Sequence, residues 1–186
     1  ILTHASKEEH KNRFYIEDQE FAEPFSGFRI AFNPKGNGSC QFAPLSHQLA
    51  KHGIYYGTAS LREKIVHYLR ENRVSQSHPE RGDMALFIAN AIDQSCNLTY
   101  DNYLQTMSLP GTYGDEVTLR AAAELFNVNI EISSTAGYRQ NIKIQPSSAS
   151  INIYLGHYDE ESGIHYVSLE PEIDFELTSS LDPIST

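Results

Sequence analysis

At 186 residues the chain is long enough for one domain with a sizeable core, or one domain with a tail. Apolar residues make up 40% and charged residues 20%, a globular rather than disordered composition, and no apolar run approaches the ~18 residues of a membrane span. A net charge of −10 repels phosphate, which argues against nucleic acid and favours a neutral or basic protein, or a cationic peptide tail, as partner. Two cysteines, Cys40 and Cys96, exclude a disulfide scaffold and a four-cysteine metal site. The chain starts at Ile1 with no basic–apolar–small leader, and reads as a piece of a longer protein whose targeting signals lie elsewhere.

Residues 1–26 are polar and charged, relieved by Phe14, Tyr15, Phe21 and Phe25; they are expected to form an arm or short helix packed through those aromatics. Phe28–Phe32 alternates and can be extended, and Asn33–Gly38 is a loop by its Asn, Pro and Gly content. Phe42, Leu45 and Leu49 have helical spacing, which predicts a helix from near Cys40 to about Lys51. Pro44 cannot donate to the carbonyl of residue 40, so the first turn should be irregular. Ser60 and Glu63 read as a capping box for a helix over about 61–71. Segment 75–82 is a linker, and Met84–Ile92 an amphipathic helix. Thr99 caps a short helix with Tyr103, Leu104 and Met107; Asp115 caps a helix to Phe126 that is apolar almost all round, hence central and buried.

The period then changes to two. Residues 128–132, 142–144, 151–155 and 165–169 read as strands, and the tail from Pro171 is acidic. Helices first and strands last predict an α+β fold with a largely antiparallel sheet.

One constellation carries chemistry: a cysteine behind a glycine-rich loop at a helix start, with His165 far downstream. A helix N-terminus favours the thiolate, and an imidazole can pair with it and later protonate a leaving amine. Gly36 and Gly38 would let backbone N–H groups face a developing oxyanion. By local pattern alone, Cys40 reads equally as a small buried hydrophobe.

The stretch Gly36-Asn37-Gly38-Ser39-Cys40-Gln41-Phe42-Ala43-Pro44-Leu45-Ser46-His47-Gln48-Leu49 resembles the cysteine motif of the ovarian-tumour (OTU) deubiquitinating proteases, roughly G-D-G-N-C-L-F-R-A-L-S-x-Q-L. Tyr103-Leu104-x-x-Met107 with Gly111–Glu116 resembles that family's Y-L-x-x-M…G-T-W-G-D block. The segment from Leu119 to Ile130, and then Leu155–Tyr158 with His165–Leu169, resemble the blocks that follow, the last carrying the catalytic histidine. The four blocks cover about residues 28–170 in the family's order. The resemblance implies a papain-like OTU fold over residues 27–170, an arm over 1–26 and an acidic extension over 171–186.

It further implies Cys40 as nucleophile and His165 as general base and acid. The reaction would be thiol-dependent hydrolysis of isopeptide bonds at the C-terminus of ubiquitin. The partner would be ubiquitin or polyubiquitin, whose tail arginines suit the acidic chain. No metal or cofactor, no nucleic acid and no membrane span are expected. A monomer in the cytoplasm, or in a host cytosol for a bacterial or viral source, fits the resemblance. The loop before Cys40 and the 133–141 and 156–164 loops correspond to segments that frame the ubiquitin tail.

Two departures bear on the third catalytic member. Asn37 stands where the family usually has Asp, and Val167 stands two residues after the histidine, where many members place Asp or Asn. Asn37, beside the nucleophile, is the first choice for orienting His165; Asn152 on a neighbouring strand is the second, and a backbone carbonyl or water could also serve. These departures keep open a catalytically silent ubiquitin-binding module, and a protease for a ubiquitin-like modifier is a further alternative.

Other candidates are bland. Cys96 has no basic neighbour and reads as structural or free. His47 and His52 do not share a helix face, which argues against zinc. His157 reads as a loop or core contact, or as substrate-facing. Asp115 and Glu116 read as helix-start residues rather than a catalytic pair. Gly36-x-Gly38 is no nucleotide loop, and the sequons at Asn37 and Asn97 would go unused in a cytosolic protein.

Overall fold

The computed structural model describes residues 25–74, 81–91, 99–135, 142–146, 148–158 and 165–172. Five strands, β1 (Phe28–Phe32), β2 (Val128–Ser134), β3 (Ile142–Ile144), β4 (Ile151–Tyr158) and β5 (His165–Pro171), form one sheet in the order β1-β5-β4-β2-β3. Only the β2–β4 pair is parallel; the other three are antiparallel. Five helices accompany it: α1 (Phe42–Lys51), α2 (Thr58–Glu71), α3 (Met84–Ala91), α4 (Tyr100–Ser108) and α5 (Glu116–Phe126). The α+β expectation with a mostly antiparallel sheet therefore holds. Among the described residues no helix is long and apolar enough to cross a membrane.

The period-two pattern of the strands separates two apolar layers. Val128, Ile130, Ile153 and Leu155 are buried against Leu45 and Leu49 of α1, Leu61, Ile65 and Leu69 of α2, and Leu119 and Ala121–Ala123 of α5. Val167 and Leu169 face the opposite layer and bury Phe25, with Tyr154 and Tyr158 packed alongside. Each large aliphatic side chain taken out of water contributes about 1.5–3 kcal/mol, so the helical layer dominates stability. Phe25 lies at the end of the expected N-terminal arm. Residues 1–24, most of the 171–186 extension, Cys96 and Asn97 fall outside the described residues, as do residues 136–141 and 159–164 of the two framing loops.

Helix boundaries follow local chemistry, with two corrections. Thr99 accepts from the Asn102 N–H at 3.2 Å, as the sequence predicts. The expected capping box at Ser60 is not used: α2 starts at Thr58 behind Gly57, and Ser60 lies inside the helix. The Leu61 N–H already donates to Gly57 O at 2.8 Å, so the first turn is closed before Ser60 could act as a cap. α1 starts at Phe42, two residues later than expected, with Cys40 and Gln41 in a turn. Pro44 thus sits in the first helical turn, where its missing N–H costs no intrahelical bond.

Gln48 anchors α1 to the sheet. Its amide nitrogen donates to Leu169 O at 2.7 Å and Ser168 Oγ at 2.6 Å, and its Oε1 accepts from Tyr154 N at 3.1 Å. The side chain bridges β4 and β5 at the level where their mutual ladder has ended, since pairing runs only from Leu155↔Ser168 to Tyr158↔His165. Lys51 and Arg29 both pair with Glu170. The helix that follows Cys40 is therefore tied to the strand that starts at His165.

Candidate active site

Cys40 sits in the turn just before α1 and is 1% exposed. Backbone N–H groups of Tyr166, Cys40 and Gln41 are aimed at its sulfur, and the Arg62 guanidinium adds a favourable charge. Burial outweighs these and pushes the thiol above its ordinary value. His165 opens β5, one residue before the Tyr166 N–H that faces the sulfur. Burial pulls its imidazole below the usual histidine range. Burial acts in the same sense on both groups, against the thiolate and against the imidazolium.

The third position is where the structure departs from expectation. His165 Nε2 lies 2.7 Å from Asn33 Oδ1. An amide oxygen only accepts, so Nε2 carries the hydrogen and Nδ1 keeps its lone pair. Asn37 does not fill this role: its Oδ1 accepts from the Ser39 N–H at 3.0 Å, and its carbonyl from the Cys40 N–H at 2.9 Å. It folds the turn that presents the cysteine. Asn152 is also elsewhere, accepting from Asn129 Nδ2 at 2.9 Å.

Chain topology explains Asn33. β1 runs antiparallel to β5, so its C-terminal end approaches the start of β5. An irregularity between Ile30 and Phe32 shifts the register there, and a bulge of this kind re-aims the residues that follow. Asn33 leaves β1 at that point, and Pro34 prevents the strand from continuing as a paired one.

A second group of contacts holds the cysteine turn from the other side. Gln41 Nε2 donates to Asp115 O at 3.1 Å, and Gln41 Oε1 accepts from Thr118 Oγ1 at 2.6 Å. The Tyr166 hydroxyl also bonds the Gln41 side chain. Gly38 packs so closely on the 111–114 loop that a Cβ there would lie 1.6 Å from Gly111 O. Gly111 itself takes φ +90°, which only glycine adopts without strain. The neighbouring residues behave as the sequence predicts: Asp115 caps α5 and Glu116 pairs with Arg120 at 2.6 Å.

Asp115 closes a reciprocal box with Thr118 and accepts the Tyr103 hydroxyl at 2.9 Å. Asp115→Ala removes the cap, worth about 0.5–2 kcal/mol, and orphans a buried hydroxyl at about 1–3 kcal/mol. The expected loss is about 2–4 kcal/mol in urea unfolding; Tyr103→Phe, which removes only the donor and leaves Asp115 its bond from the Thr118 N–H, should cost about 1 kcal/mol. A loss under ~0.5 kcal/mol for Asp115→Ala would contradict this account.

The remaining candidates have other contacts. His47 Nδ1 is 2.8 Å from Ser168 Oγ and its ring stacks on Phe32. His157 lies on β4 with its ring 4.6 Å from that of Tyr166. Gly156–Tyr158 of the expected 156–164 loop belong to β4. Among the described residues no cluster of His, Cys, Asp and Glu could hold a metal.

The OTU-like cysteine protease family matches residues 35–168, a span that contains the cysteine turn, α5 and the start of β5. The chain belongs to this family. Ovarian tumor domain-containing deubiquitinating enzyme 9 of Arabidopsis thaliana is 31% identical over 140 residues, covering 74% of this chain and 34% of that enzyme. Enzyme 11 of the same plant series is 26% identical over 137 residues, covering 73% of this chain and 47% of that protein. The chain thus spans about a third to a half of these two relatives.

An OTU deubiquitinase from Wolbachia pipientis wMel superposes with a TM-score of 0.56 at 20% identity, over 78% of this chain and 90% of that one. A second structure of that deubiquitinase, bound to ubiquitin, gives a TM-score of 0.54 at 19% identity, over 78% and 96%. The fold is the OTU fold. Within it, Val167 is fully buried beside Phe25 and serves the second apolar layer. Its side chain offers no acceptor, and Asn33 reaches His165 from β1 instead.

Proposed function

We propose that this OTU-family chain is a deubiquitinase that hydrolyses isopeptide bonds at the C-terminus of ubiquitin, with Cys40 as nucleophile, His165 as general base and acid, and Asn33 as the residue that orients the histidine. The observation that carries the reading is the Asn33–His165 hydrogen bond next to a Tyr166 N–H aimed at the Cys40 sulfur. With Nε2–H given to Asn33, His165 Nδ1 takes the thiol proton as the sulfur attacks the substrate carbonyl. The same nitrogen returns the proton to the departing lysine amine, leaving a thioester on Cys40. Water, deprotonated by Nδ1, then releases the ubiquitin carboxylate.

The names of the Arabidopsis relatives and the ubiquitin-bound Wolbachia structure support ubiquitin as the substrate class. The net charge of −10 suits a tail that carries arginines.

The test is reaction with ubiquitin bearing a C-terminal electrophile, read by intact mass and peptide mapping. A single adduct on Cys40 is expected. Ubiquitin binding without an adduct would instead favour the silent module, and an adduct only with a ubiquitin-like probe would move the substrate.

A further inference from the structure

Arg62 lies on α2 and is 3% exposed. Its Nη2 donates to Gly38 O at 2.8 Å and its Nη1 to Met107 O at 2.9 Å, with Met107 Sδ 3.8 Å away. The guanidinium lies 4.1 Å over the Phe42 ring, two residues past the cysteine. Among the described residues no carboxylate pairs with it. The contrast with Arg81 is informative: that buried side chain, 5% exposed, pairs with Glu124 at 2.8 Å. A buried cation without an anion is costly, because water is lost and nothing of opposite charge replaces it.

Among the described residues, the group able to become an anion with which Arg62 interacts favourably is the Cys40 thiol, two residues past the Gly38 carbonyl it holds. We propose that Arg62 is a positioning residue for the nucleophile: it clamps the Gly38 carbonyl and so the turn that carries Cys40, and its charge is placed to be neutralised when the thiolate forms. This rests on the reading of Cys40 as nucleophile.

Geometry separates the two parts of that role. The clamp acts through Gly38, which is wedged against Gly111, so a released carbonyl would let the turn drift. The charge acts through space. The backbone N–H groups of Tyr166, Cys40 and Gln41 are the other groups aimed at the sulfur; Asp115, at the start of α5, is occupied by Tyr103 and Thr118. Arg62 is therefore the one permanent cation that the described residues place toward the sulfur.

The experiment measures alkylation of Cys40 by iodoacetamide against pH, without ubiquitin, in wild type, Arg62→Gln and Arg62→Lys, with folding checked by circular dichroism. Arg62→Gln keeps a donor for Gly38 O and removes the charge. Its alkylation curve is expected to move about one pH unit upward, a ~10-fold slower reaction near neutrality. Arg62→Lys keeps the charge and loses the two-point clamp. Its curve should stay within a few tenths of a unit of wild type, while kcat on a ubiquitin substrate falls ~5-fold to ~50-fold.

A folded Arg62→Gln with an unmoved curve overturns the proposal. Should that variant fail to fold, Arg62→Lys decides alone: an upward-shifted curve, or wild-type kcat, overturns it. A shifted curve in a protein that never cleaves ubiquitin would refute the proposed substrate and leave the hold of Arg62 on Cys40 intact.

Discussion

Cys40→Ala is expected to abolish hydrolysis of ubiquitin conjugates, with kcat lowered by ~10⁴-fold or more. The sulfur supplies the bond-forming electron pair, and nothing else in the turn replaces it: Ser39 points its N–H at Asn37 and Gln41 is tied to α5. The substitution should leave the fold in place. Cys40 is buried, but alanine removes one sulfur atom only, and α1 is anchored by Phe42, Leu45, Leu49 and Gln48 rather than by the thiol. Ubiquitin binding by the variant should therefore survive. The measurement is cleavage of diubiquitin beside a binding isotherm, with Cys96→Ala as a control expected to retain nearly full activity. Equal cleavage by Cys40→Ala and wild type would refute the proposed nucleophile.

The second large effect is expected at Asn33. Asn33→Ala removes the acceptor on His165 Nε2, so the ring can rotate and the tautomer with Nδ1 free is no longer selected. The expected fall in kcat is ~10-fold to ~10³-fold, with KM nearly unchanged, because Asn33 acts on the imidazole and not on bound substrate. Asn33→Asp keeps an acceptor and should recover most of the loss. A carboxylate there would also favour the imidazolium, which should move the acidic limb of the kcat/KM profile to higher pH. Asn37→Ala is the informative contrast. It loosens the turn through Ser39 and Cys40 but leaves His165 bound, so a smaller fall of ~3-fold to ~30-fold is expected. A full loss in Asn37→Ala with Asn33→Ala unaffected would reverse the assignment.

Position 167 shares its face of β5 with His165 and packs beside Phe25. Valine serves packing at that position. The orienting function is then carried by a residue from a strand more than a hundred positions earlier, adjacent only because β1 and β5 are sheet neighbours. Replacing Val167 by Asn, in an Asn33→Ala background, would ask whether the two solutions are interchangeable.

The amino-acid sequence by itself determined the elements whose residues carry their own periodicity or cap. Thr99 and Asp115 start α4 and α5 where their side chains say, and alternation marks all five strands, because a helix cap and a half-buried strand are local patterns. The motif around Cys40 and the block around His165 were legible as motifs for the same reason. The start of α2 was not: Ser60 and Glu63 matched a cap, yet the helix begins at Thr58 behind Gly57, with the Leu61 N–H on Gly57 O. What only the tertiary structure decided is which side chains meet. Asn37 is near Cys40 in sequence but spends its oxygens on its own turn, as short polar side chains do. Asn33 and Arg62 reach the site through sheet order and helix packing, and long-range pairing leaves no spacing in the chain from which to read them.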